Sequence, residues 1–338
     1  YYLSNPIIHE NNGSTKLMYP SYARKRNFTY SSPIYVDIEI KFIQRKGDML
    51  EMEEEMTKNL DKISLGKIPI MLHSKYCLLS SVKKEELNKY DECPYDIGGY
   101  FIINGSEKVL ICQEKVRENT VLVFKNSKTN TRYSHMADVK SVKDNIFGIA
   151  KNISVRITSK EGLSGKTIKV LIPHFRQEIP LFILLRALGI ESDKEIIHYI
   201  TNNIDDSEMS HLLLPSLEEA SNIQTQQLAV EYMIKYLYMS NYHLKDTDKH
   251  KKIVYLNEVL KTELLPHVGE SCLKKAHFLG YMTNRLLQCY LNRQDYDDRD
   301  SYVNKRIDTP GSLLANLFRQ YFNKLVKDMR NSVMKEFN

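Results

Sequence analysis

The sequence predicts an α+β fold made of two mixed α/β domains. At 338 residues, the chain is long enough for two domains that each bury a core of their own. Its apolar content of 42% and charged content of 27% are typical of a globular protein. Strand patterns occupy the sequence up to about residue 175, whereas helix patterns dominate after Pro180.

The first 115 residues are predicted to be rich in strands. Residues Thr29–Ile43 alternate as a strand does, and Gly66–Leu79 is predicted to be a second strand in which Pro69 indicates an edge or a bulge. The acidic stretch Asp48–Lys62 between them is predicted to be a solvated loop or a short helix. Lys83–Tyr90 is predicted to be a short helix.

A hairpin is the strongest local signal, and it lies in DIGGYFIINGSEKVLICQE, residues Asp96–Glu114. Its predicted strands are Tyr100–Ile103 and Val109–Cys112, which are rich in β-branched and aromatic residues. Asn104-Gly105 between them favours a type I′ turn, because both residues tolerate positive φ. Gly98-Gly99 lets the chain enter the first strand at an angle that a Cβ would forbid. Taken alone, such a hairpin is typical of the core of any β-containing domain.

Further strands are predicted between residues 116 and 175, and helices are predicted for most of the chain after Pro180. The final helix, Ser312–Phe337, carries one apolar stripe, formed by Leu314, Leu317, Tyr321, Leu325, Met329 and Val333. The strand-rich first segment needs a partner face. We therefore expect this helix to pack on residues 1–115 and to leave residues 116–304 as an inserted domain.

The stretch EGLSGKT, Glu161–Thr167, ends like a phosphate-binding P-loop but departs from that motif in two places. The P-loop needs a glycine five residues before its second glycine, and Lys160 occupies that position. It also needs a helix after the lysine, whose N-terminus holds the phosphate. The apolar run that follows here predicts a strand, so Gly162–Gly165 is interpreted as a hairpin turn.

Residue spacing predicts no metal or catalytic site. The cysteines are odd in number and lack CxxC spacing, so they are interpreted as buried thiols in a reducing compartment; they are Cys77, Cys93, Cys112, Cys272 and Cys289. The histidines form no HxxxH or HxH set. The acidic link Asp295–Asp300 fails as an EF-hand, because Asp300 and Arg306 stand where that loop needs glycine and glutamate. This link is predicted to form salt bridges and caps around a turn.

The net charge of +6 and the pI near 8.8 favour a polyanionic partner. No apolar run approaches the length of a membrane span, and the N-terminus lacks the basic and apolar regions of a signal peptide. The chain begins with Tyr1 rather than Met, as an internal piece of a longer protein would.

The hairpin stretch Asp96–Glu114 resembles a signature of the second-largest subunit of multisubunit DNA-dependent RNA polymerases, the counterpart of the bacterial β subunit. Further blocks resemble that subunit in the same order along nearly the whole chain: Tyr19–Ile38, Gly66–Cys77, Arg186–Ile190, Lys274–Leu287 and Asp295–Leu314. The amino-acid sequences of these blocks are more similar to those of eukaryotic or large-DNA-virus subunits than to those of bacterial ones.

The resemblance implies a split protrusion domain with an inserted lobe domain. Residues 1–115 and 305–338 would form the protrusion and residues 116–304 the lobe, and both domains would wall the cleft and guide DNA and the RNA–DNA hybrid. In that family the Mg²⁺-bearing aspartates lie on the largest subunit, and the Zn²⁺-bearing part lies further along the second. The segment is therefore expected to hold no cofactor and to be inactive alone, within an enzyme that is a nucleotidyltransferase.

The implied partners are the largest subunit, the other polymerase subunits, DNA, the RNA–DNA hybrid and general transcription factors on the lobe, with no membrane. The implied location is the nucleus for a cellular source, and the virion or host cytoplasm for a viral one. The alternative is a free-standing module that binds nucleic acid or a transcription factor. A stand-alone NTPase is disfavoured by Lys160.

The resemblance also implies four nucleic-acid contacts. The strand from Lys108 to Gln113 resembles the element that faces the hybrid, which makes these two residues candidates. Lys305 and Arg306 correspond to a basic pair that follows the asparagine of a later motif. The alternative for each basic residue is an ordinary solvated surface charge.

Two departures from the family pattern lie beside these residues. Asp308 stands where bacterial relatives have a further basic residue, so it is not expected to contact nucleic acid. The family's Arg-Ser-Pro-Gly segment after Gln113 is replaced by Lys115-Val116-Arg117-Glu118.

Overall fold

The computed structural model of the protein describes residues 1–45, 52–126, 131–143, 148–160, 165–202, 206–238 and 249–337. The chain divides into two compact units, Tyr1–Cys112 and Gln113–Asn338. The fold contains helices together with strands that form several small sheets, which confirms the predicted α+β class. Over the described ranges, no helix has the length and apolar character needed to cross a bilayer.

The first unit consists mainly of antiparallel strands. Its elements are β1 (Tyr2–Leu3), β2 (Ile7–His9), β3 (Thr15–Leu17), α1 (Pro20–Lys25), β4 (Ser31–Arg45), β5 (Met52–Pro69), two 3₁₀ helices (Leu78–Ser81 and Lys84–Tyr90), β6 (Phe101–Ile103) and β7 (Ser106–Lys108). The strands β1, β4 and β5 form one sheet in that order, whereas β2–β3 and β6–β7 form separate pairs.

The long pair β4–β5 confirms one predicted strand and corrects two other predictions. The predicted strand over Thr29–Ile43 is present from Ser31 onward. The predicted loop or helix over Asp48–Lys62 is wrong from Met52, because these residues pair along β4; residues 46–51 lie outside the described residues. The strand predicted over Gly66–Leu79 ends at Pro69, after which the chain turns at His73 with φ of 59°.

The hairpin keeps its predicted turn but not its predicted second strand. Asn104 and Gly105 have φ of 49° and 79°, and the two-residue loop pairs Ile103 with Ser106. The second strand is therefore Ser106–Lys108, and Val109–Cys112 is not a strand. Pairing stops at Phe101 opposite Lys108, because the preceding glycines take positive φ and turn the chain away from this ladder.

A small core holds the first unit together. Tyr30 is fully buried within it, and its hydroxyl accepts a hydrogen bond from the backbone nitrogen of Leu78 at 3.0 Å. The buried apolar residues of this core are Ile8, Met18, Ala23, Tyr30, Ile70, Leu72, Cys77, Leu79, Leu87 and Ile102. They join α1, the 3₁₀ segment and the hairpin.

The second unit contains a five-stranded sheet, a two-stranded ribbon and most of the helices. Its strands are β8 (Gln113–Val116), β9 (Leu122–Lys125), β10 (Tyr133–Ser141), β11 (Lys151–Thr158), β12 (Ile168–Leu171), β13 (Ile179–Pro180) and β14 (Lys305–Asp308). Its described helices are α2 (Leu181–Ala187), α3 (Asp193–Thr201), α4 (Ser207–Glu219), α5 (Gln226–Tyr236), α6 (Lys249–Thr262), α7 (Cys272–Tyr290) and α8 (Pro310–Phe337).

The five-stranded sheet is antiparallel throughout and packs one face on helices. Its strand order is β13-β12-β11-β10-β9, and α7 contacts three of these strands. Burial alternates along β10, where Ala137 and Val139 enter the core while Asp138 and Lys140 do not. The strand Ile168–Leu171 confirms that no helix follows Lys166, as the rejection of the P-loop predicted. The predicted turn falls largely on residues 161–164, which lie outside the described residues.

Two residues of α7 set its close packing against other helices. Gly280 approaches α3 so closely that a Cβ would lie 2.5 Å from the carbonyl oxygen of Tyr199. The fully buried Lys275 donates to the carbonyl oxygens of Leu260 at 2.8 Å and Lys261 at 2.6 Å, which satisfies the C-terminal end of α6. Burial lowers the pKa of Lys275. Both residues belong to the block Lys274–Leu287 that carries part of the family resemblance.

The final helix has one polar and one apolar side. Its polar residues Asn316, Arg319 and Gln320 line a cavity of about 810 Å³ together with Lys115 and Asp308. Its apolar stripe is exposed, including Leu317 at 49%, Tyr321 at 66%, Leu325 at 41%, Met329 at 52% and Val333 at 52%. Packing of this stripe on the first segment stays a prediction.

Candidate nucleic-acid interface

Three of the four predicted contact residues meet on one two-stranded ribbon. The strands β8 and β14 pair antiparallel, with Gln113 opposite Asp308, Lys115 opposite Arg306 and Val116 opposite Lys305. We call this pair the basic ribbon. Its two strands lie far apart in sequence, yet pairing places Gln113, Lys305 and Arg306 within four rungs of one ladder.

The end of the basic ribbon is held by Asn304. Its carbonyl oxygen accepts a hydrogen bond from the backbone nitrogen of Arg117 at 2.9 Å, one step beyond the last strand pair. Its side-chain nitrogen donates to the carbonyl oxygen of Asp298 at 2.8 Å, and Asp298 in turn caps the backbone of Asp300 at 2.9 Å. The acidic link therefore forms caps around a turn, as its sequence predicted.

The candidate side chains on the ribbon differ in how free they are. Gln113 and Arg306 are exposed, although the Arg306 guanidinium also donates to the carbonyl oxygens of Val303 at 3.2 Å and Lys305 at 2.7 Å. The Lys305 side chain is 20% exposed, and its Nζ lies 3.8 Å from the carboxylate of the solvent-exposed Asp300. An ion pair with such an exposed partner is weak, so it would not prevent a phosphate from binding.

Asp308 has a structural partner on the same ribbon. Its carboxylate lies 2.9 Å from the Nζ of Lys115, which also contacts Glu118 at 2.9 Å. Burial opposes protonation of Lys115, but the hydrogen bonds to the two carboxylates outweigh it and raise the pKa of this amine. Asp308 therefore stabilises the ribbon as the acceptor for Lys115. Sequence reasoning missed this pair because the two residues lie at opposite ends of the inserted segment.

Lys108 is the fourth candidate and lies in the first unit, at the end of β7. It is exposed and faces Phe101 across the hairpin. The expectation that one strand runs from Lys108 to Gln113 is wrong, because the hairpin ladder ends at Lys108. Between them, Val109 and Ile111 are exposed at 72% and 78% and belong to no strand.

Metal-binding clusters and nucleophile–base pairs are the arrangements that would indicate a catalytic site among the described residues. No group of three or more His, Cys, Asp or Glu side chains among them could hold a metal ion. Ser141 and His267 contact each other at 2.7 Å, but the serine is fully buried and could not reach a substrate. Cys77 and Cys289 are buried as predicted, whereas the same prediction is wrong for the exposed Cys93 and Cys112, where the chain is irregular.

The chain belongs to the RNA polymerase beta subunit family, whose sequence profile matches residues 1–338. The match confirms the resemblance drawn from the ordered blocks. Within that family, the chain corresponds to the N-terminal region of the second-largest subunit.

Individual relatives agree with this assignment. The chain is 44% identical to DNA-directed RNA polymerase II subunit 2 of Arabidopsis thaliana over 341 residues, covering 99% of the chain and 28% of that relative. It is 38% identical to DNA-directed RNA polymerase II subunit RPB2 of Schizosaccharomyces pombe, again covering 99% and 28%. It is 35% identical to DNA-directed RNA polymerase subunit Rpo2N of Halobacterium salinarum, covering 96% and 59%. The chain thus spans about a quarter of the length of the eukaryotic relatives that it matches.

Proposed function

We propose that this chain is the non-catalytic protrusion and lobe part of the second-largest subunit of a DNA-directed RNA polymerase. In this role it walls the cleft and guides DNA and the RNA–DNA hybrid during transcription. The observation that carries the proposal is the family match over all 338 residues. The alternative, a free-standing binding module, does not account for relatives that are polymerase subunits from plants, fungi and archaea.

The chemistry of RNA synthesis is assigned to other parts of the polymerase. Nucleotidyl transfer needs metal ions held by carboxylates, and the described residues contain no cluster with that donor set. The Mg²⁺ and Zn²⁺ implied for the whole enzyme are proposed to be held by other parts of the polymerase. The chain alone is proposed to be inactive.

We also propose the split arrangement that the family resemblance implies: residues 1–115 and 305–338 form the protrusion, and residues 116–304 form the lobe. Two features support it. The first unit has a small core for its length, and α8 exposes a continuous apolar stripe that needs a partner. A cellular source would place the protein in the nucleus, and a viral one in the virion or host cytoplasm.

The proposed nucleic-acid contacts are Lys108, Gln113, Lys305 and Arg306. Exposed Gln113 and Arg306 lie on paired strands, where an amide and a guanidinium can donate to phosphate oxygens. Contacts of this kind position a strand without reading its sequence. General transcription factors that dock on the lobe are further proposed partners.

Affinity purification of the full-length protein tests the function. The largest polymerase subunit should copurify in a stoichiometric amount, in a complex that elongates RNA on a primed template. A full-length protein that elutes as a monomer, or with other partners only, would support the free-standing module instead.

A further inference from the structure

A small cavity lies beside the basic ribbon, on the outer side of the five-stranded sheet. Its volume is about 220 Å³, and its lining includes Arg117, Phe124, Asp138, Lys140 and Arg299. Three basic side chains therefore surround one carboxylate. The cavity is smaller than the ~300–1,000 Å³ typical of sites for drug-sized ligands, so it suits one small charged group rather than a whole nucleotide.

The sheet fixes one wall of this cavity. Asp138 and Lys140 lie two residues apart on β10 and so share the face opposite the core residues Ala137 and Val139. Lys140 pairs with Asn152 of β11, which also lines the cavity. The positions of these side chains thus follow from the strand register.

The acidic link fixes Arg299 over the same face. The backbone nitrogen of Asp297 donates to the carbonyl oxygen of Val123 at 3.0 Å, and its carboxylate accepts the Val123 nitrogen at 2.8 Å. These bonds cover the free edge of β9. Two residues later, the Arg299 guanidinium lies 4.4 Å from the centre of the Phe124 ring and 3.7 Å from Asp138.

The third basic residue, Arg117, is tied to the same link. Its backbone nitrogen donates to Asn304, whose side chain holds the carbonyl oxygen of Asp298, the neighbour of Arg299. On its other side, Asn119 bonds both the nitrogen and the carbonyl oxygen of Val142 at the end of β10, at 2.8 and 2.9 Å. Two arginines from distant parts of the sequence are therefore held in one hydrogen-bonded frame.

The charge in this cavity is unbalanced. Arg299 pairs with Asp138 at a long distance, and in the part of the chain that the structure describes neither Arg117 nor Lys140 has an ion-pair partner. Arg117 is half-buried, and it stands in the segment that replaces the family's Arg-Ser-Pro-Gly. Lys140 is exposed, whereas the half-buried Arg117 is screened less by water, so its unpaired charge favours an anionic ligand.

We propose that this cavity binds one backbone phosphate of a nucleic-acid strand. The inference rests on the proposed function and adds to it a contact set of Arg117, Lys140 and Arg299. The guanidinium fork matches the geometry of phosphate oxygens, and the ammonium adds a point charge.

A polynucleotide is favoured over a phosphorylated peptide because of the adjoining ribbon. Arg117 directly follows β8, so the cavity continues from the ribbon that exposes Gln113 and Arg306. A strand that lies along the ribbon presents a phosphate at each nucleotide, whereas a phosphopeptide offers isolated groups.

The test measures binding of a labelled RNA–DNA hybrid to the 338-residue chain at several salt concentrations. Each phosphate contact contributes about 0.7–0.9 to the slope of log K against log salt. In the double variant Arg117→Gln/Lys140→Gln, the slope should become shallower by about 0.7–0.9, the contribution of one phosphate contact, with affinity reduced alike for different sequences. The matched control Lys194→Gln/Lys274→Gln removes the same charge from exposed positions on α3 and α7, and it should change the slope by less than half as much.

The outcomes separate this inference from the function on which it rests. If the wild-type chain binds hybrid without any salt dependence, or not at all, backbone guidance itself fails. If the wild type shows the salt dependence but both double variants behave alike, only the cavity proposal is overturned. A phosphoserine peptide supplies the last comparison: if the cavity variant loses the peptide but keeps its wild-type slope with hybrid, the site binds a protein partner and the proposal is wrong. Circular dichroism melts of all variants exclude unfolding as the cause.

Discussion

Arg24 joins three segments of the first unit through one side chain. Its guanidinium lies 2.7 Å from Glu107 of β7 and 2.9 Å from Glu92, and it donates to the Tyr100 hydroxyl at 2.8 Å. The Glu92 side chain is only 4% exposed, and burial raises its pKa despite the arginine. The hairpin stretch Asp96–Glu114 and the block Tyr19–Ile38 are thus joined by one ion-pair network.

Arg24→Met should therefore destabilise the first unit. Removing one partner of a buried ion pair leaves the other charge without compensation, which typically costs about 3–5 kcal/mol of unfolding free energy. Because the Arg24 side chain is 24% exposed, we expect a value near the lower limit of that range, about 3 kcal/mol. The control Lys25→Met, on the same helix as Arg24, breaks an exposed pair with Asp91 and should cost much less. Urea unfolding, with hydrogen exchange of the hairpin amides, measures both. Equal losses would show that the network adds nothing beyond a surface pair.

Asp96 gives this network an acid dependence. It accepts hydrogen bonds from Tyr100 Oη at 2.5 Å and from the Gly98 nitrogen at 2.8 Å. Burial opposes ionisation, but these bonds outweigh it and hold the pKa of Asp96 below its ordinary value. Its stabilising contribution is present above the unfolded pKa of about 3.9 and is lost as pH falls through the lower folded pKa.

Asp96→Asn should make the first unit less sensitive to acid. Between about pH 5 and about pH 2, the wild type should lose more unfolding free energy than the variant does, because only the wild type must protonate this carboxylate. Urea titrations across that range measure the difference. The same acid profile in the wild type and the variant would argue against this origin.

At the scale of elements, the turn of the hairpin depends on a close contact as well as on backbone conformation. Gly105 has φ of +79°, and a Cβ there would lie 2.5 Å from Asn27 Oδ1 and 2.8 Å from Asn27 Cα. Gly13 has nearly the same φ, +78°, with nothing within 4 Å of such a Cβ. The pair therefore separates conformational strain from crowding.

Gly13→Ala should cost about 1–2 kcal/mol for its backbone conformation alone. Gly105→Ala should cost a further ~1–3 kcal/mol, because the added methyl group must displace the α1 end from the hairpin. Denaturant midpoints of the two variants give the difference. If the two variants have the same midpoint within error, crowding by Asn27 adds no cost to a side chain at position 105.

The elements also show how far sequence patterns reach. Asn104-Gly105 predicted its turn, since the conformational demand is local to two residues. The strand Met52–Lys62 was missed because its long pairing with β4, not its own acidic composition, determines its conformation. The basic ribbon could not be derived from spacing, because its strands lie on either side of the inserted segment. The resemblance supplied Gln113, Lys305 and Arg306, whereas Arg117, Lys140 and Arg299 needed the structure.

At the scale of the whole molecule, the proposed split arrangement makes a testable claim about stability. If α8 packs on the first segment, Leu317→Ala with Leu325→Ala should destabilise that segment by several kcal/mol, because each buried leucine truncated to alanine costs about 2–5 kcal/mol. The control Lys324→Ala with Lys327→Ala changes the same helix away from the stripe and should have little effect. Hydrogen exchange of both units measures the outcome.

Separate expression extends this test. Residues 116–304 should melt cooperatively, because the second unit contains the larger apolar core, whereas residues 1–115 should not fold alone. A well-folded 1–115 fragment, or unchanged protection in the leucine variant, would contradict the split arrangement.

The hydrogen bond between Arg117 and Asn304 has an evolutionary consequence. The chain leaves the basic ribbon after Val116 and returns to it at Lys305, which is paired with Val116. The residues between these two positions therefore form an insertion whose ends are held together by the ribbon. Lengthening such an insertion adds little to the entropic cost of loop closure, because that cost grows only with the logarithm of loop length. Lineages could therefore enlarge, trim or replace this domain while the anchoring ladder kept its register, and a tight turn joining Val116 to Lys305 would restore a simple hairpin.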